Sequence, residues 1–262
     1  MIGFFDSGFG WLKTMKDFKK LYPEYNYIFL ADSKNCPYGE KSWEEIQKLT
    51  FKALDWLFGQ WAKIIILACN TAAAYSVRKW QETYPEKKVL SITIPWIEKL
   101  IKHGWLELNI WVIATEATIM SNIYNDLFSR FGGKPNLQFQ FVMAPKIVEI
   151  IEEWFGDEKE NLNVIKSYLV RFPKNVEHLI LWCTHFPVLM KEFKKLFKWE
   201  IIDPSKESAK KFGPYLKKHP EVESKISRWW KVKFFTTWDK ENFERIGKKI
   251  WGDKIDAKCV EI

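Results

Sequence analysis

Two short stretches hold residues able to do chemistry. "KIIILACNTAAA" (63–74) and "HLILWCTHFPVL" (178–189) each run an apolar strand into a cysteine, place a threonine within two residues and continue as a helical segment. Cys69 is followed by Asn70 and Thr71, and Cys183 by Thr184 and His185. A thiol between a strand end and a helix start meets free backbone N–H groups and the positive end of the helix dipole. Both favour thiolate, and the same groups bind carboxylate. Two such thiols facing each other, one ionised and one protonated, can take a proton from one face of a carbon and return it on the other. That is racemisation or epimerisation without a cofactor. An ordinary thiol titrates near roughly 8.5, so a modest lowering suits a base working near neutrality. The plain alternative for a cysteine is a small buried hydrophobe. It fits Cys259, near the C-terminus, better than Cys69 or Cys183.

A third wall for such a site is "FFDSGFG" (4–10), where Asp6 and Ser7 follow a strand and precede a helical segment. Asp6 could face an ammonium group or assist a thiol; equally, Asp and Ser are ordinary helix N-caps. "CPYGEKS" (36–42) is turn-like by its proline and glycine, and Cys36 there needs no catalytic role.

The elements that must position these residues alternate along the chain. Strand-like runs lie at 2–5, 27–30, 63–68, 89–94, 110–115, 139–144, 178–183, 200–203 and 231–237. Several are continuously apolar, as in strands buried on both faces of a parallel sheet. Amphipathic stretches separate most of them. In 43–58, Ile46, Leu49, Ala53, Leu54, Leu57 and Phe58 recur at helical spacing. The alternation predicts an α/β architecture with mostly parallel sheets flanked by helices, and the echo between the two cysteine stretches suggests two similar domains. The site falls in the cleft between them, at the carboxyl ends of strands. Two crossings of the chain give one domain from 1–95 plus 208–262 and the other from 96–207.

Composition sets bounds. The 262 residues are 47% hydrophobic and 28% charged, enough for a sizeable core. No apolar run reaches the roughly 18 residues of a membrane span. The first ten residues lack the basic and apolar segments of a signal peptide, so a soluble, cytoplasmic protein with no membrane contact is expected. The net charge of +8 comes from lysines spread over amphipathic segments such as "KEFKKLFK" (191–198), and no nucleic-acid motif is visible. The four cysteines, Cys36, Cys69, Cys183 and Cys259, form no CxxC pair, and no metal site is expected.

Four stretches together resemble the glutamate racemase family, within the aspartate/glutamate racemase superfamily: "FDSGFG" (5–10), "PYGEKS" (37–42), "ACNTA" (68–72) and "CTHFP" (183–187). "ATEATIMSNIY" (114–124), "APKIVEIIE" (144–152) and "FFTTWD" (234–239) agree more weakly, so the resemblance runs over nearly the whole chain in family order. It implies cofactor-free interconversion of L- and D-glutamate, supplying D-glutamate for peptidoglycan. By motif, Cys69 and Cys183 match the two acid/base thiols, Cys69 for D-glutamate and Cys183 for L-glutamate. Asp6 and His185 match the residues that assist them. Ser7, Tyr38, Gly39, Asn70, Thr71 and Thr184 match substrate contacts, and Glu152 a further site carboxylate. The histidine of "CTH" favours glutamate over aspartate. A homodimer and a contact with DNA gyrase are partner readings the resemblance admits. Alternatives are a racemase for aspartate or another amino acid, and a catalytically inactive binding protein.

The chain departs from that pattern at glycines. Trp11, Trp61, Trp96, Trp111, Trp182 and Trp238 stand where the family carries glycine. Tryptophan cannot cheaply take positive φ or allow close backbone approach. A chain of this length should hold roughly 18 glycines; this one holds 12, with 15 tryptophans. One exchange at one residue type suggests a gene whose UGA codons are read as glycine in its own cells. The alternative is a genuine tryptophan-rich chain with an occluded site. Trp11 and Trp182 are expected to narrow or fill the pocket.

Overall fold

The computed structural model describes residues 1–102, 110–132, 140–153, 157–173 and 176–262. Each of the nine expected runs contains a strand: β1 Ile2–Asp6, β2 Tyr27–Ala31, β3 Ile64–Leu67, β4 Val89–Ser91, β5 Ile110–Ala114, β6 Gln140–Met143, β7 His178–Trp182, β8 Glu200–Ile202 and β9 Val232–Thr236. Residue 139, the first of one expected run, lies outside the described residues. The run 89–94 is strand only to Ser91, because Thr93 already opens a helix. A further short strand, β10 Ala257–Cys259, gave no apolar signal in sequence.

The strands form two sheets, ordered β10-β9-β2-β1-β3-β4 and β6-β5-β7-β8. Every recorded pairing is parallel. Both sheets are covered on both faces, which is why their strands read as unbroken apolar runs. On one face of the larger sheet, Phe4, Phe29, Ile64 and Ile66 pack under helices α1 (Leu12–Leu21), α10 (Pro204–Lys218) and α12 (Lys240–Trp251). On the other, Phe5, Ile28, Ile65 and Leu67 meet α2 (Trp43–Gly59) and α3 (Asn70–Thr83). In the smaller sheet, Leu179 and Leu181 face α7 (Pro145–Glu153), α8 (Glu158–Leu169) and α9 (Met190–Leu196). Ile180 and Trp182 face α4 (Thr93–Lys102) and α6 (Ile123–Arg130). No helix among the described residues is long and apolar enough to cross a membrane.

The tryptophans at glycine positions behave differently from expectation. Trp11 and Trp182 do not enter the cleft. Trp182 alternates with Cys183 along β7, so the two side chains point to opposite faces. Its indole lies fully buried in the α4/α6 layer, edge-on to Trp96 at 5.5 Å and stacked on Tyr124 with ring centroids 2.9 Å apart. That is closer than ordinary carbon–carbon contact of about 3.5 Å. Trp11 is buried against Phe4 and Phe18, and its indole N–H has no hydrogen-bond partner among the described residues. Trp111 packs edge-on against Phe172 without crowding. Trp61 has φ +70° and is 74% exposed; Trp230, which the sequence did not single out, has φ +59° and is 71% exposed.

Candidate active site

The carboxyl ends of β1 and β3 from the larger sheet meet the carboxyl end of β7 from the smaller. Cys69 and Cys183 line one cavity there with Ser7, Tyr38, Gly39, Asn70, Thr71, Thr115, Thr184 and His185. All the residues expected at the site therefore lie at this junction, apart from Asp6 and Glu152, which stand just behind the lining. The cavity measures about 20 Å³. That is room for about one water and far too little for an amino acid, so substrate access requires the walls to part.

Cys69 caps α3, its Sγ accepting the Ala72 N–H at 3.5 Å. Ser7 Oγ lies 3.4 Å from the same sulfur. Asp6 sits behind, its Oδ1 accepting the Ser7 N–H at 2.7 Å and approached by Ser7 Oγ at 3.4 Å. The other carboxylate oxygen, Oδ2, is buried without a partner of hydrogen-bond geometry, although Thr184 is near enough to favour the carboxylate. Burial holds the Asp6 pKa above the ordinary range, with His185 and Thr184 opposing that shift.

The expected lowering of the Cys69 pKa is corrected by the structure. Burial, then the Asp6 charge, push the thiol up to about 12, and the bonds from Ser7 and Ala72 only partly offset them. At this depth of burial the dipole of α3 is too weak to outweigh desolvation.

Cys183 has a different partner. Its Sγ lies 3.6 Å from His185 Nδ1, and His185 Nε2 lies 2.5 Å from Glu152 Oε1. Burial disfavours the imidazolium, but Cys183 and Glu152 outweigh it and hold the His185 pKa well above its ordinary value. The continuous helix expected after this thiol is instead a 3₁₀ turn, Phe186–Leu189, ahead of α9; Pro187 lies within that turn.

Contacts between the two walls are tight and polar. Glu152 Oε1 also accepts the Phe9 N–H at 2.8 Å. Gly10 packs so closely on the opposite wall that a Cβ there would come within 2.5 Å of the His185 nitrogen. Gly39 sits against Thr115, where a Cβ would come within 2.8 Å of the threonine's own. Thr71 Oγ1 lies 3.0 Å from both Thr115 Oγ1 and Thr118 Oγ1, and Tyr124 donates to Asn70 Oδ1 at 3.2 Å. Tyr38 contributes its ring; its hydroxyl is committed to Asp32 Oδ2 at 2.6 Å, and Asp32 also accepts from Asn35 and Thr237. Thr115, Thr118 and Tyr124 were not singled out in sequence. The signal available was the stretch 114–124, which holds all three and begins at the β5 strand end.

Comparison with known proteins agrees with this geometry. The sequence model of the Asp/Glu/Hydantoin racemase family matches residues 16–211. A glutamate racemase of Clostridium novyi is 32% identical over 206 residues, 77% of this chain and 76% of that protein. The crystal structure of glutamate racemase from Francisella tularensis in complex with D-glutamate superposes with a TM-score of 0.87 at 30% identity, covering 99% of this chain and 97% of that one. A glutamate racemase isoform from Bacillus anthracis gives 0.88 at 28% identity, over 100% and 97%.

Proposed function

The chain belongs to the Asp/Glu/hydantoin racemase family, and from that premise we propose that it interconverts L- and D-glutamate by a two-thiol mechanism without a cofactor. The observation that carries this reading is the pair of thiols at the ends of β3 and β7 lining one cavity. Two domains, 1–95 plus 208–262 and 96–207, close on the substrate; the division of the strands between two sheets supports that boundary.

The roles follow from the chemistry of each wall. Asn70, Thr71 and Thr184 offer donors to the substrate carboxylates, beside the backbone N–H groups at the start of α3. Asp6, with an oxygen left for a donor, suits the α-ammonium. That ammonium also brings a positive charge beside Cys69, against the burial and the Asp6 charge that raise its pKa. An opposite charge nearby lowers a thiol pKa and produces the thiolate only when substrate is bound. Cys69 then takes the α-proton of D-glutamate while protonated Cys183 delivers one to the opposite face, and the roles reverse for L-glutamate. His185, oriented by Glu152, exchanges the proton with Cys183. Ser7 does the equivalent positioning at Cys69. Supply of D-glutamate for peptidoglycan in the cytoplasm is the setting this activity fits.

The test is turnover of L-glutamate, D-glutamate and L-aspartate, followed by polarimetry and by α-proton exchange in D₂O. Interconversion of the glutamate pair with incorporation of solvent deuterium is expected. Turnover of aspartate in place of glutamate overturns the substrate assignment, and no turnover of either moves the inactive binding-protein reading ahead.

A further inference from the structure

One more nucleophile reaches the cleft, with no part in the scheme above. Cys36 is half-buried, and one ligand atom each from Cys36, Glu152 and His185 lie within 4.8 Å of one another. It is the only such trio among the described residues. We propose that Cys36, Glu152 and His185 form a binding site for a thiophilic divalent cation of the zinc class, and that its occupancy switches the racemase off. The binding stands on geometry alone; only the inhibition rests on the proposed function.

The donor set selects the ion. Thiolate, imidazole and carboxylate together suit zinc and its softer neighbours, whereas magnesium and calcium require oxygen ligands. Tetrahedral zinc with bonds of about 2.0–2.3 Å separates its ligand atoms by roughly 3.3–3.7 Å. His185 Nε2 and Glu152 Oε1, now 2.5 Å apart, must spread by about an ångström, and the Cys36 sulfur, within 4.8 Å of both, is in reach of the same ion. The ion replaces the proton shared between His185 and Glu152, and a second proton leaves the Cys36 thiol; both pass to solvent. Water completes the fourth position. The Glu152 carboxylate beside Cys36 favours a cation there.

The consequence falls on Cys183. With Nε2 ligated, the neutral imidazole is fixed with its proton on Nδ1, the atom 3.6 Å from Cys183 Sγ. It can then donate to that sulfur but cannot accept from it, so Cys183 cannot be reset between turnovers. Glu152 is withdrawn from its partner at the same time.

Full-length protein titrated with zinc should lose racemase activity, and a chelator should restore it. Cys36→Ser and Cys36→Ala should keep the metal-free activity and need at least tenfold more zinc for half-inhibition. Cobalt(II), which reads binding independently of activity, should give a thiolate-to-cobalt absorption band in the parent that both Cys36 variants lose. Zinc inhibition unchanged in both variants overturns the proposal. So does a cobalt band that survives at Cys36→Ser but vanishes at Cys69→Ser or Cys183→Ser, because the catalytic thiols would then bind the ion alone. No inhibition by zinc in the parent overturns it outright.

A separate observation carries a second inference, about the sequence itself. Among the described residues, two of the four other than glycine with positive φ are tryptophans, Trp61 and Trp230, and both indoles are exposed. Trp61 has only an exposed lysine, Lys63, 5.4 Å over its ring to set against the backbone cost, a cost that glycine does not incur. Trp182 overlaps Tyr124 inside a filled layer. We infer that positions 61, 182 and 230 are glycine in the protein made by its own cells, from UGA codons. The gene should show UGA at all three, and peptides of the protein isolated from those cells should show glycine masses. UGG codons, or tryptophan masses at these positions, overturn it.

Discussion

The two thiol junctions share a plan and differ at one neighbour. The chain leaves β3 through Leu67–Ala68–Cys69 and β7 through Leu181–Trp182–Cys183, and Ala68 and Trp182 are both fully buried. Ala68 fills its place behind the thiol and leaves a full helix to start at Asn70. Trp182 lies in a packed layer against Tyr124 and Trp96, and beyond Cys183 the chain turns through a 3₁₀ segment that contains Pro187. The front faces differ too. Cys69 depends on a hydroxyl and a helix N–H, Cys183 on an imidazole backed by a carboxylate. The lesson is that two junctions of like backbone can be set for different chemistry by their partners, while the residue behind the thiol acts on stability alone.

The largest effect that tests this comparison is on turnover. Cys69→Ser and Cys183→Ser should each lower racemisation by roughly a hundred- to ten-thousand-fold, measured by polarimetry from each enantiomer. Full two-way turnover in either variant breaks the two-base scheme.

Next comes His185→Asn. L- and D-glutamate have equal free energies, so kcat/KM must fall equally in both directions, by roughly a hundredfold. The asymmetry between junctions should show in the isotope effect. With α-deuterated substrates it should rise for the enantiomer whose proton Cys183 takes, and change little for the other. Equal changes would mean that His185 serves both thiols.

A third measurement follows from Cys69. Its folded pKa, pushed up to about 12, lies above the ordinary thiol value of 9.0. The unfolded thiol ionises first, so this contribution to stability is complete below pH 9 and is lost as pH rises from 9 towards 12. Denaturant titrations of the parent and Cys69→Ser should diverge over that window, the parent losing up to about 1.4 kcal/mol per pH unit more than the variant. Parallel curves would place the thiol in a more polar setting than the structure does.

The smallest effect is behind the thiols. Trp182→Gly relieves overpacking of about 1–3 kcal/mol and incurs about 0.5–1 kcal/mol for glycine in a strand. A net gain of about 1 kcal/mol is expected, read as a higher denaturant midpoint. Ala68→Trp should do the reverse at the other junction. A loss of stability in Trp182→Gly would mark the indole as a genuine adaptation.

Much of this was legible in the chain. Apolar runs located the strands because burial on both faces demands them, and Cys69, Cys183, Asp6 and His185 were visible as chemistry at strand ends. Three things were hidden for physical reasons. β10 is three residues, Ala257–Cys259, two of them exposed, so it has no hydrophobic signature. The direction of Trp182 is a matter of strand parity, which only the burial of Cys183 on the opposite face fixes. Tyr38 matched a substrate contact of the family, but its hydroxyl belongs to Asp32, a partner six residues earlier that no motif announced. The Cys69 pKa likewise depends on how deeply the closed cleft buries it, which composition does not encode.

Gly8 and Gly10 face the opposite wall at Glu152 and at the backbone of Thr184 and His185. Seen as a mechanical clearance, these glycines set the closing gap to the thickness of bare backbone. Even a methyl group at position 10 would act as a doorstop, holding the walls ajar. In the proposed two-thiol scheme, a carbon that gives a proton to one sulfur and takes another from the sulfur on the opposite jaw is then held by only one of them at a time. The stereochemical outcome is thus decided partly by two residues that have no side chain to offer and never touch the proton.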